Sequence, residues 1–203
     1  MSKKKVVLAT RNKGKVLEFN ERFGEIGWEI VPLPEDAPEV IEDGLTFEEN
    51  ASKKARSAAF FCGLPALSDD SGLEVDALNG APGVFSARYA GEHATDEQNN
   101  QKLLQALRHI PEQERSARFV CALAFVDCTR KSQVAQPLIV RGTCAGRIVD
   151  IPRGKNGFGY DPLLFIPELG KTIAEMTIEE KHRISHRGEA IRHMIDLIRT
   201  EHE

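Results

Sequence analysis

The sequence predicts an α/β fold in which a mixed, twisted β-sheet is flanked by helices. A buried strand at residues 5–10 is followed, after a short loop, by a helical pattern that places Val16, Phe19 and Phe23 on one face. In the second half, two long apolar strands follow each other at 118–126 and 137–142. Consecutive strands of this kind favour a mixed or antiparallel sheet over a purely parallel one.

The composition is that of an ordinary globular protein. The 203 residues suffice for one domain, 1–203, or two small lobes of it. A net charge of -4 argues against a broad nucleic-acid or membrane surface, but it leaves room for a small anionic ligand. No segment approaches membrane-spanning length, and the apolar run at 6–9 is too short for a signal peptide. The four cysteines lack metal-site spacing, which predicts reduced thiols and a cytoplasmic location.

The loop after the first predicted strand, Arg11-Asn12-Lys13-Gly14-Lys15, is a candidate phosphate site. A strand that ends in a basic, glycine-containing loop and opens a helix presents backbone N–H groups, a positive helix end and lysines to an anion. The spacing is not that of a Walker A loop. From these residues alone, a plain solvated loop is an equally good interpretation.

A second strand is predicted at 28–33, followed by an irregular acidic passage that contains three prolines. The segment 46–49 then matches a capping box and predicts a helix whose body runs from 50 to 62. The basic residues of this helix, Lys53 and Lys54 among them, are typical of a solvated face.

Two adjacent carboxylates, Asp69 and Asp70, come next, followed by Ser71 and Gly72. This stretch predicts a loop or sharp bend that leads into a strand at 73–77. Paired carboxylates suit a hard cation with oxygen ligands, or a carboxylate base beside one. An ordinary Asx-turn is the alternative, and these residues alone favour it.

A glycine-rich segment at 153–162 alternates glycines with aromatic residues. Such a backbone can approach a flat ligand closely while the rings stack on it. A further capping box at 177–180 precedes a final helix with an apolar stripe, whose members are Ile191, Met194, Ile195 and Ile198.

Six motifs, taken together and in order, resemble the inosine triphosphate pyrophosphatase family over nearly the whole chain. They are Ala9-Thr10-x-Asn12-x-Gly14-Lys15, Leu45-Thr46-Phe47-x-Glu49-Asn50-Ala51, Asp69-Asp70-Ser71-Gly72-Leu73, Gly80-Ala81-Pro82-Gly83-x-x-Ser86-Ala87-Arg88-Tyr89, Gly157-Phe158-Gly159-Tyr160-Asp161-Pro162 and Glu180-Lys181-x-x-x-Ser185-His186-Arg187. Arg11 and Ser68 stand where the family often has glycine and alanine. Neither departure removes a functional position.

The resemblance implies a mixed α/β fold with two lobes around a central active-site cleft, assembled as a homodimer. It implies hydrolysis of purine nucleoside triphosphates between the α- and β-phosphates, which releases the monophosphate and pyrophosphate. The substrates would be inosine, deoxyinosine and xanthosine triphosphates, and the role would be removal of deaminated purines from the nucleotide pool.

The resemblance also implies roles for individual residues. Asp70 would be the general base, and Asp70 with Glu42 would contact Mg²⁺; Asp69 is the alternative base or an outer-sphere ligand. The phosphate-binding residues would be Thr10, Arg11, Asn12, Lys13, Gly14, Lys15, Lys54 and Ser71. The base-binding residues would be Phe158, Gly159, Tyr160, Asp161, Lys181, His186 and Arg187.

Donors from His186 and Arg187 would pair with a 6-oxo group, and adenine presents a 6-amino donor there instead. Guanine shares the 6-oxo group, so its exclusion depends on a contact at the 2-position that the sequence does not identify. Three other functions compete: a pyrophosphatase for modified pyrimidine or methylated nucleotides, a non-catalytic nucleotide sensor, and a nucleic-acid-binding module. The negative net charge disfavours the last.

Overall fold

We describe the fold from a computed structural model, which covers residues 3–129 and 136–200. Its strands are β1 (Lys4–Leu8), β2 (Trp28–Pro32), β3 (Ala66–Val75), β4 (Ser116–Val126), β5 (Leu138–Ile148), β6 (Leu164–Ile166) and β7 (Lys171–Thr172). Its α-helices are α1 (Lys13–Phe23), α2 (Phe47–Cys62), α3 (Asp96–Leu107), α4 (Ile178–Ile184) and α5 (His186–Thr200).

The strands form a seven-stranded mixed sheet in the order β2-β1-β3-β4-β5-β6-β7. β1 runs parallel to β2 and β3, whereas β6 runs antiparallel to β5 and β7. The mixed sheet with flanking helices that the sequence predicts is therefore confirmed.

The chain divides into two compact units. Unit 1 comprises residues 1–70, 121–142 and 189–203, and unit 2 comprises residues 71–120 and 143–188. The boundary falls inside β3, β4 and β5, so each of these strands begins in one unit and ends in the other. Asp70 and Ser71, neighbours in the sequence, are the last and first residues of units 1 and 2 at the β3 crossing.

Unit 1 packs its core around four aromatic rings on α1, β2 and β4. Phe19, Phe23, Trp28 and Phe125 follow one another with ring centroids 5.9, 5.4 and 5.0 Å apart. The predicted apolar stripe of the final helix is buried against this cluster. Burial of each such aliphatic side chain contributes roughly 2 kcal/mol, which fixes α5 in place.

Unit 2 has its own core, in which Leu103 and Leu107 of α3 pack with Leu73, Ile148 and Leu164. α3 begins with a full capping box: the Thr95 hydroxyl accepts from Gln98 N, and the Gln98 side chain accepts from Thr95 N. The start of α3 is therefore well fixed, and so are the side chains that its first turn carries.

The prediction of a loop or bend at Ser68–Gly72 is wrong. These residues belong to the continuous ten-residue strand β3. The local turn chemistry is overridden because the strand lies between β1 and β4 in the sheet, where its carbonyls receive sheet hydrogen bonds such as Ala9 N to Leu67 O at 2.8 Å. The carboxylates of Asp69 and Asp70 find basic side chains as partners, which makes them compatible with an interior strand.

The capping box predicted for α2 forms only in part. The Thr46 hydroxyl accepts from Glu49 N at 3.1 Å, as expected. The Glu49 carboxylate, however, accepts from Leu45 N rather than from Thr46 N. The helix starts where the pattern predicts. The hydrogen bond of the Glu49 side chain, however, comes from the residue before the N-cap rather than from the N-cap itself.

All four cysteines are free thiols; Cys121 and Cys144 are buried, and Cys62 and Cys128 are half-buried. Among the described residues, no helix combines the length and the apolar character that a bilayer crossing requires.

Candidate active site

A cluster of charged side chains in unit 1, here called the charged cluster, consists of Lys15, Glu42, Lys54, Asp69 and Asp70. Lys54 projects from α2 and places its ammonium 3.2 Å from Glu42 Oε1 and 3.1 Å from Asp70 Oδ1. Asn50 lies one helical turn earlier on the same face and donates to Asp70 Oδ2 at 3.2 Å. One turn of α2 therefore contacts both oxygens of the Asp70 carboxylate.

Burial raises the pKa of Asp70 to about 6, although the Lys54 ammonium acts in the opposite direction. The nearby Glu42 carboxylate adds to the rise, and the Asn50 hydrogen bond opposes it. Burial lowers the pKa of Lys54, but the charges of Asp70 and Glu42 outweigh it, so its net pKa is raised. Lys54 therefore stays charged at neutral pH, and Asp70 can exchange a proton there.

Asp69 has a different environment from Asp70. Successive strand residues point to opposite faces of a sheet. Only 6% of Asp69 is exposed, and its charge still acts on the Lys54 ammonium, which links the two halves of the cluster. Both of its carboxylate oxygens accept from Lys15 Nζ, at 3.0 and 2.9 Å. The two adjacent carboxylates are thus distinguished by separate lysines from separate helices.

Three backbone N–H groups of the N-terminal loop have acceptors within the loop. Asn12 is the N-cap of α1, and its Oδ1 accepts from Gly14 N at 2.9 Å and Lys15 N at 3.2 Å. Asn12 N in turn donates to Thr10 Oγ1. The N-cap thus occupies the N–H groups of Gly14 and Lys15, and anion binding by this loop stays a prediction.

Arg11 supports the neighbouring loop, since its guanidinium donates to Glu35 O and Ala37 O. A cavity of about 300 Å³ lies beside it. Thr10, Glu42 and Lys54 form a polar part of its wall, and Leu33 and Phe61 belong to the apolar part. Of the predicted phosphate-binding residues, Thr10, Arg11 and Lys54 thus share one cavity, whereas Lys13 is exposed on α1.

Unit 2 contains a separate cavity of about 200 Å³, here called the unit 2 pocket. All seven residues predicted to bind the base line it: Phe158, Gly159, Tyr160, Asp161, Lys181, His186 and Arg187. The structure therefore brings together the glycine-rich segment and the 181–187 segment. Their role in base recognition stays a prediction.

Ser71 also lines the unit 2 pocket, and its predicted contact with the phosphates stays a prediction. Its Oγ is buried and finds no hydrogen-bond partner among the described residues. A buried hydroxyl without a partner is unfavourable. Its position therefore provides an unused polar contact at the wall of the pocket.

The Asp161 carboxylate holds one side of the unit 2 pocket together through hydrogen bonds within the protein. Its Oδ2 accepts from Lys181 Nζ at 2.6 Å and from Phe158 N at 3.1 Å. Gly157 must be glycine here, because its φ is +84° and a Cβ would come within 2.0 Å of Asp161 Oδ2. The Lys181 ammonium also lies 5.2 Å from the centre of the Phe158 ring.

Tyr160 forms a buried wall, and its hydroxyl donates to Ser86 O at 2.8 Å. Burial raises the pKa of this phenol well above its usual value, so it stays neutral. Phe158 differs, because 71% of it is exposed. Of these two aromatic residues, Phe158 is therefore the one whose ring has free surface for stacking.

Sequence analysis missed Phe119, which also lines the unit 2 pocket. Its ring lies 5.3 Å from the His186 imidazole, with 25° between the two planes. It comes from β4, which is buried along nearly its whole length. An apolar run without alternation carries no signal that separates pocket residues from core residues.

A sequence model of the Ham1 family matches residues 6–197. The chain belongs to the Ham1 family. It is 50% identical over 196 residues to the dITP/XTP pyrophosphatase of Yersinia pseudotuberculosis, covering 96% of this chain and 98% of the relative. It is also 50% identical over 197 residues to the dITP/XTP pyrophosphatase of Escherichia coli O157:H7, covering 97% and 98%.

Solved structures of Ham1 proteins share the fold. The HAM1 protein from Coxiella burnetii superposes with a TM-score of 0.89 at 45% identity, covering 97% of this chain and 99% of the other. The Staphylococcus aureus Ham1 protein gives 0.88 at 40% identity, covering 98% and 100%. The family and the fold that the motifs predict are confirmed.

The charged cluster of this Ham1 chain fits a magnesium ion. Glu42 and Asp70 supply hard oxygen donors, and both already converge on a cation, the Lys54 ammonium. The described residues include no group of three or more histidines, cysteines and carboxylates that would enclose a metal. Magnesium typically takes one or two carboxylates and completes its shell with water and phosphate oxygens, which matches this donor set.

Proposed function

We propose that this chain is a nucleoside-triphosphate pyrophosphatase that hydrolyses deaminated purine nucleotides (ITP, dITP, XTP and dXTP) to the monophosphate and pyrophosphate. The observation that carries the proposal is the contact of Lys54 with both Asp70 and Glu42. The names of the half-identical relatives, dITP/XTP pyrophosphatases, support the same substrate class. The physiological role is removal of these nucleotides from the precursor pool.

The triphosphate binds the basic side chains of unit 1. Lys54 and Lys15 are each paired with a carboxylate, so a phosphate oxygen would replace or share that partner. Charge-assisted hydrogen bonds from these ammonium groups serve best where negative charge develops on the phosphates. Thr10 and Arg11 complete the phosphate side, with Asn12 and Gly14 fixing the start of α1.

Asp70 accepts the proton of the water that attacks the α-phosphorus, and pyrophosphate leaves. Its pKa of about 6 makes it a stronger base than an exposed carboxylate, while it remains mostly ionised at neutral pH. Asn50 and Lys54 orient its two oxygens. Asp69 is the weaker candidate, because Lys15 engages both of its oxygens.

Glu42 and Asp70 are the residues that would hold Mg²⁺. Bound there, the ion would lower the pKa of a coordinated water and offset phosphate charge. Binding is measurable without catalysis: titration of the protein with MgCl₂ in a calorimeter should give heat that Glu42→Gln reduces. Equal heats for the two proteins would reject this assignment.

The purine ring binds in the unit 2 pocket, with the exposed face of Phe158 as its stacking partner. His186 and Arg187 donate to the 6-oxo group, and Phe119 supports the His186 ring. A site built around donors disfavours adenine, whose 6-amino group offers no acceptor. The substrates are small molecules, and the proposal includes no nucleic-acid or membrane partner.

One assay tests the activity. Purified protein is incubated with MgCl₂ and inosine triphosphate, and the products are separated by anion-exchange chromatography. Inosine monophosphate with pyrophosphate supports the proposal, whereas the diphosphate with orthophosphate contradicts it. Binding without product would identify a nucleotide sensor. Faster cleavage of modified pyrimidine nucleotides than of inosine triphosphate would make those nucleotides the substrate class instead.

The proposal extends to a cytoplasmic homodimer. Four free thiols suit a reducing compartment, and the dimer follows from the family resemblance. Light scattering on the purified chain at micromolar concentration distinguishes a dimer from a monomer of 22.5 kDa.

A further inference from the structure

The backbone N–H and carbonyl of Gly159, in the unit 2 pocket, both form hydrogen bonds with side chains from outside their own loop. Its N–H donates to Asp96 Oδ2 at 2.6 Å, and its carbonyl accepts from Asn100 Nδ2 at 3.0 Å. Asp96 and Asn100 lie four residues apart on α3, so they share one face of the helix. Both backbone polar groups of Gly159, which belong to two successive peptide units, are therefore held by one helical turn.

The same loop is held a second time, one residue earlier. Phe158 N donates to Asp161 Oδ2, so the two consecutive N–H groups that flank the Phe158 ring both end on carboxylates. Gly159 has a φ of +59°, a left-handed conformation that glycine adopts without strain. The N–H groups of Phe158 and Gly159 are thus already used within the protein.

Asn100 is an informative member of this arrangement, because its amide nitrogen has a partner and its amide oxygen has none among the residues described. Its Oδ1 is buried and has no hydrogen-bond partner within the described part of the chain. A buried, unsatisfied acceptor is unfavourable for folding. The amide at this position is therefore explained by its donor to Gly159 and not by a general contribution to stability.

The N-terminal part of α3, which carries Asp96 and Asn100, is itself held in a fixed position. The capping box of Thr95 and Gln98 fixes the start of α3. Asn99, between the two gripping residues, is buried and bonds Ala90 N and Ala87 O. Positions defined by a helix are held more tightly than positions defined by a loop.

We propose that Asp96 and Asn100 are positioning residues for the purine site: by holding the Gly159 peptide, they fix the exposed Phe158 ring in the orientation on which the base stacks. The inference rests on the proposed function, since it assigns the unit 2 pocket to the base. Neither residue is required for phosphate contacts, which belong to unit 1. Asn100 does not belong to the lining of the pocket, so any effect of its replacement acts through Gly159.

The test compares two ligands that correspond to the two products. Inosine monophosphate carries the base, whereas pyrophosphate carries only phosphates, and both are titrated into the full-length protein with MgCl₂ by calorimetry. We expect Asn100→Ala and Asp96→Ala to weaken inosine monophosphate binding about tenfold. Pyrophosphate binding should stay at the wild-type value in both variants.

Conservative variants separate the hydrogen bond from charge and volume. Asp96→Asn keeps an acceptor for Gly159 N but loses the charge at the helix start, so it should bind inosine monophosphate nearly as wild type does. Asn100→Asp keeps the volume but loses the donor, so it should behave like Asn100→Ala. Glu97→Ala, on the same exposed turn, is the matched control and should change neither affinity.

Thermal melts accompany every variant. Unchanged inosine monophosphate affinity in well-folded Asn100→Ala and Asp96→Ala overturns the inference. Equal weakening of both ligands also overturns it, because that pattern reports general damage. If the wild-type protein fails to bind inosine monophosphate at all, the proposed function is wrong and the inference falls with it.

Discussion

The charged cluster of unit 1 and the unit 2 pocket are held in place by different kinds of interaction. In the charged cluster, side chains of opposite charge contact each other directly, as Lys54 does with Glu42 and Asp70. In the pocket, the residues with free surface are held by backbone hydrogen bonds, as at Gly159. If the proposed function holds, reactivity in this protein depends on electrostatic pairing, whereas recognition depends on the shape of a loop.

The largest expected effect is the loss of the Asp70 carboxylate. We expect Asp70→Asn to reduce turnover of inosine triphosphate by about a thousandfold, because an amide cannot take the proton of the attacking water. Pyrophosphate release under saturating substrate measures it. Asp43→Asn, which removes an exposed carboxylate paired with Lys53, is the control. Near-normal turnover in Asp70→Asn would remove the residue from the mechanism.

Next in size is the loss of the Lys54 ammonium. Lys54→Gln should lower kcat/KM about a hundredfold, because the charge that faces the phosphates and orients Asp70 is gone. Lys53→Gln, one residue away and exposed, should leave kcat/KM near the wild-type value. The melting temperatures are measured in parallel. A Lys54→Gln protein that unfolds, or one that turns over normally, would contradict a purely functional role.

A smaller effect is expected in the unit 2 pocket, where selectivity and not rate should respond. Arg187→Ala should reduce the preference for inosine over adenosine triphosphate about tenfold, because one donor to the 6-oxo group is lost. The ratio of the two kcat/KM values measures it, with exposed Arg183→Ala as the control. If the ratio is the same in both variants, Arg187 does not read the base.

The smallest expected effect concerns the pH dependence of stability. The folded pKa of Asp70, about 6, exceeds the ordinary carboxyl value, so ionising this group opposes folding and stability falls as pH rises from about 4 to 6. Asp70→Asn removes that penalty and leaves Lys54 paired with Glu42. The variant should therefore be more stable than wild type by about 1 kcal/mol at pH 8.

Urea unfolding with a chelator present, at pH 4, 6 and 8, checks this prediction. The difference between the two proteins should be absent at pH 4 and grow to its full value above pH 6. A difference that does not vary with pH would mean that Asp70 is not a strained carboxylate. The charged cluster would then lose the feature that separates it from an ordinary ion-pair network.

Local patterns predicted the helices well because a helix is defined by neighbours along the chain. The Thr177 capping box forms as expected, and the stripe from Ile191 to Ile198 is buried. Asp69 and Asp70 show the limit of such reasoning. Their residue types indicate a turn, but the neighbouring strands, which come from distant parts of the sequence, hold them in β3.

The sequence by itself determined the family, the mixed sheet and most of the candidate residues, because ordered motifs and hydrophobic periodicity are properties of the chain. Only the tertiary structure decided which lysine meets which carboxylate, that Asn12 takes up the N–H groups of its own loop, and that Asp96 and Asn100 hold Gly159. These partners are up to 63 residues apart. The physical reason is that burial and hydrogen bonding depend on which segments meet in space, and composition alone does not encode that meeting.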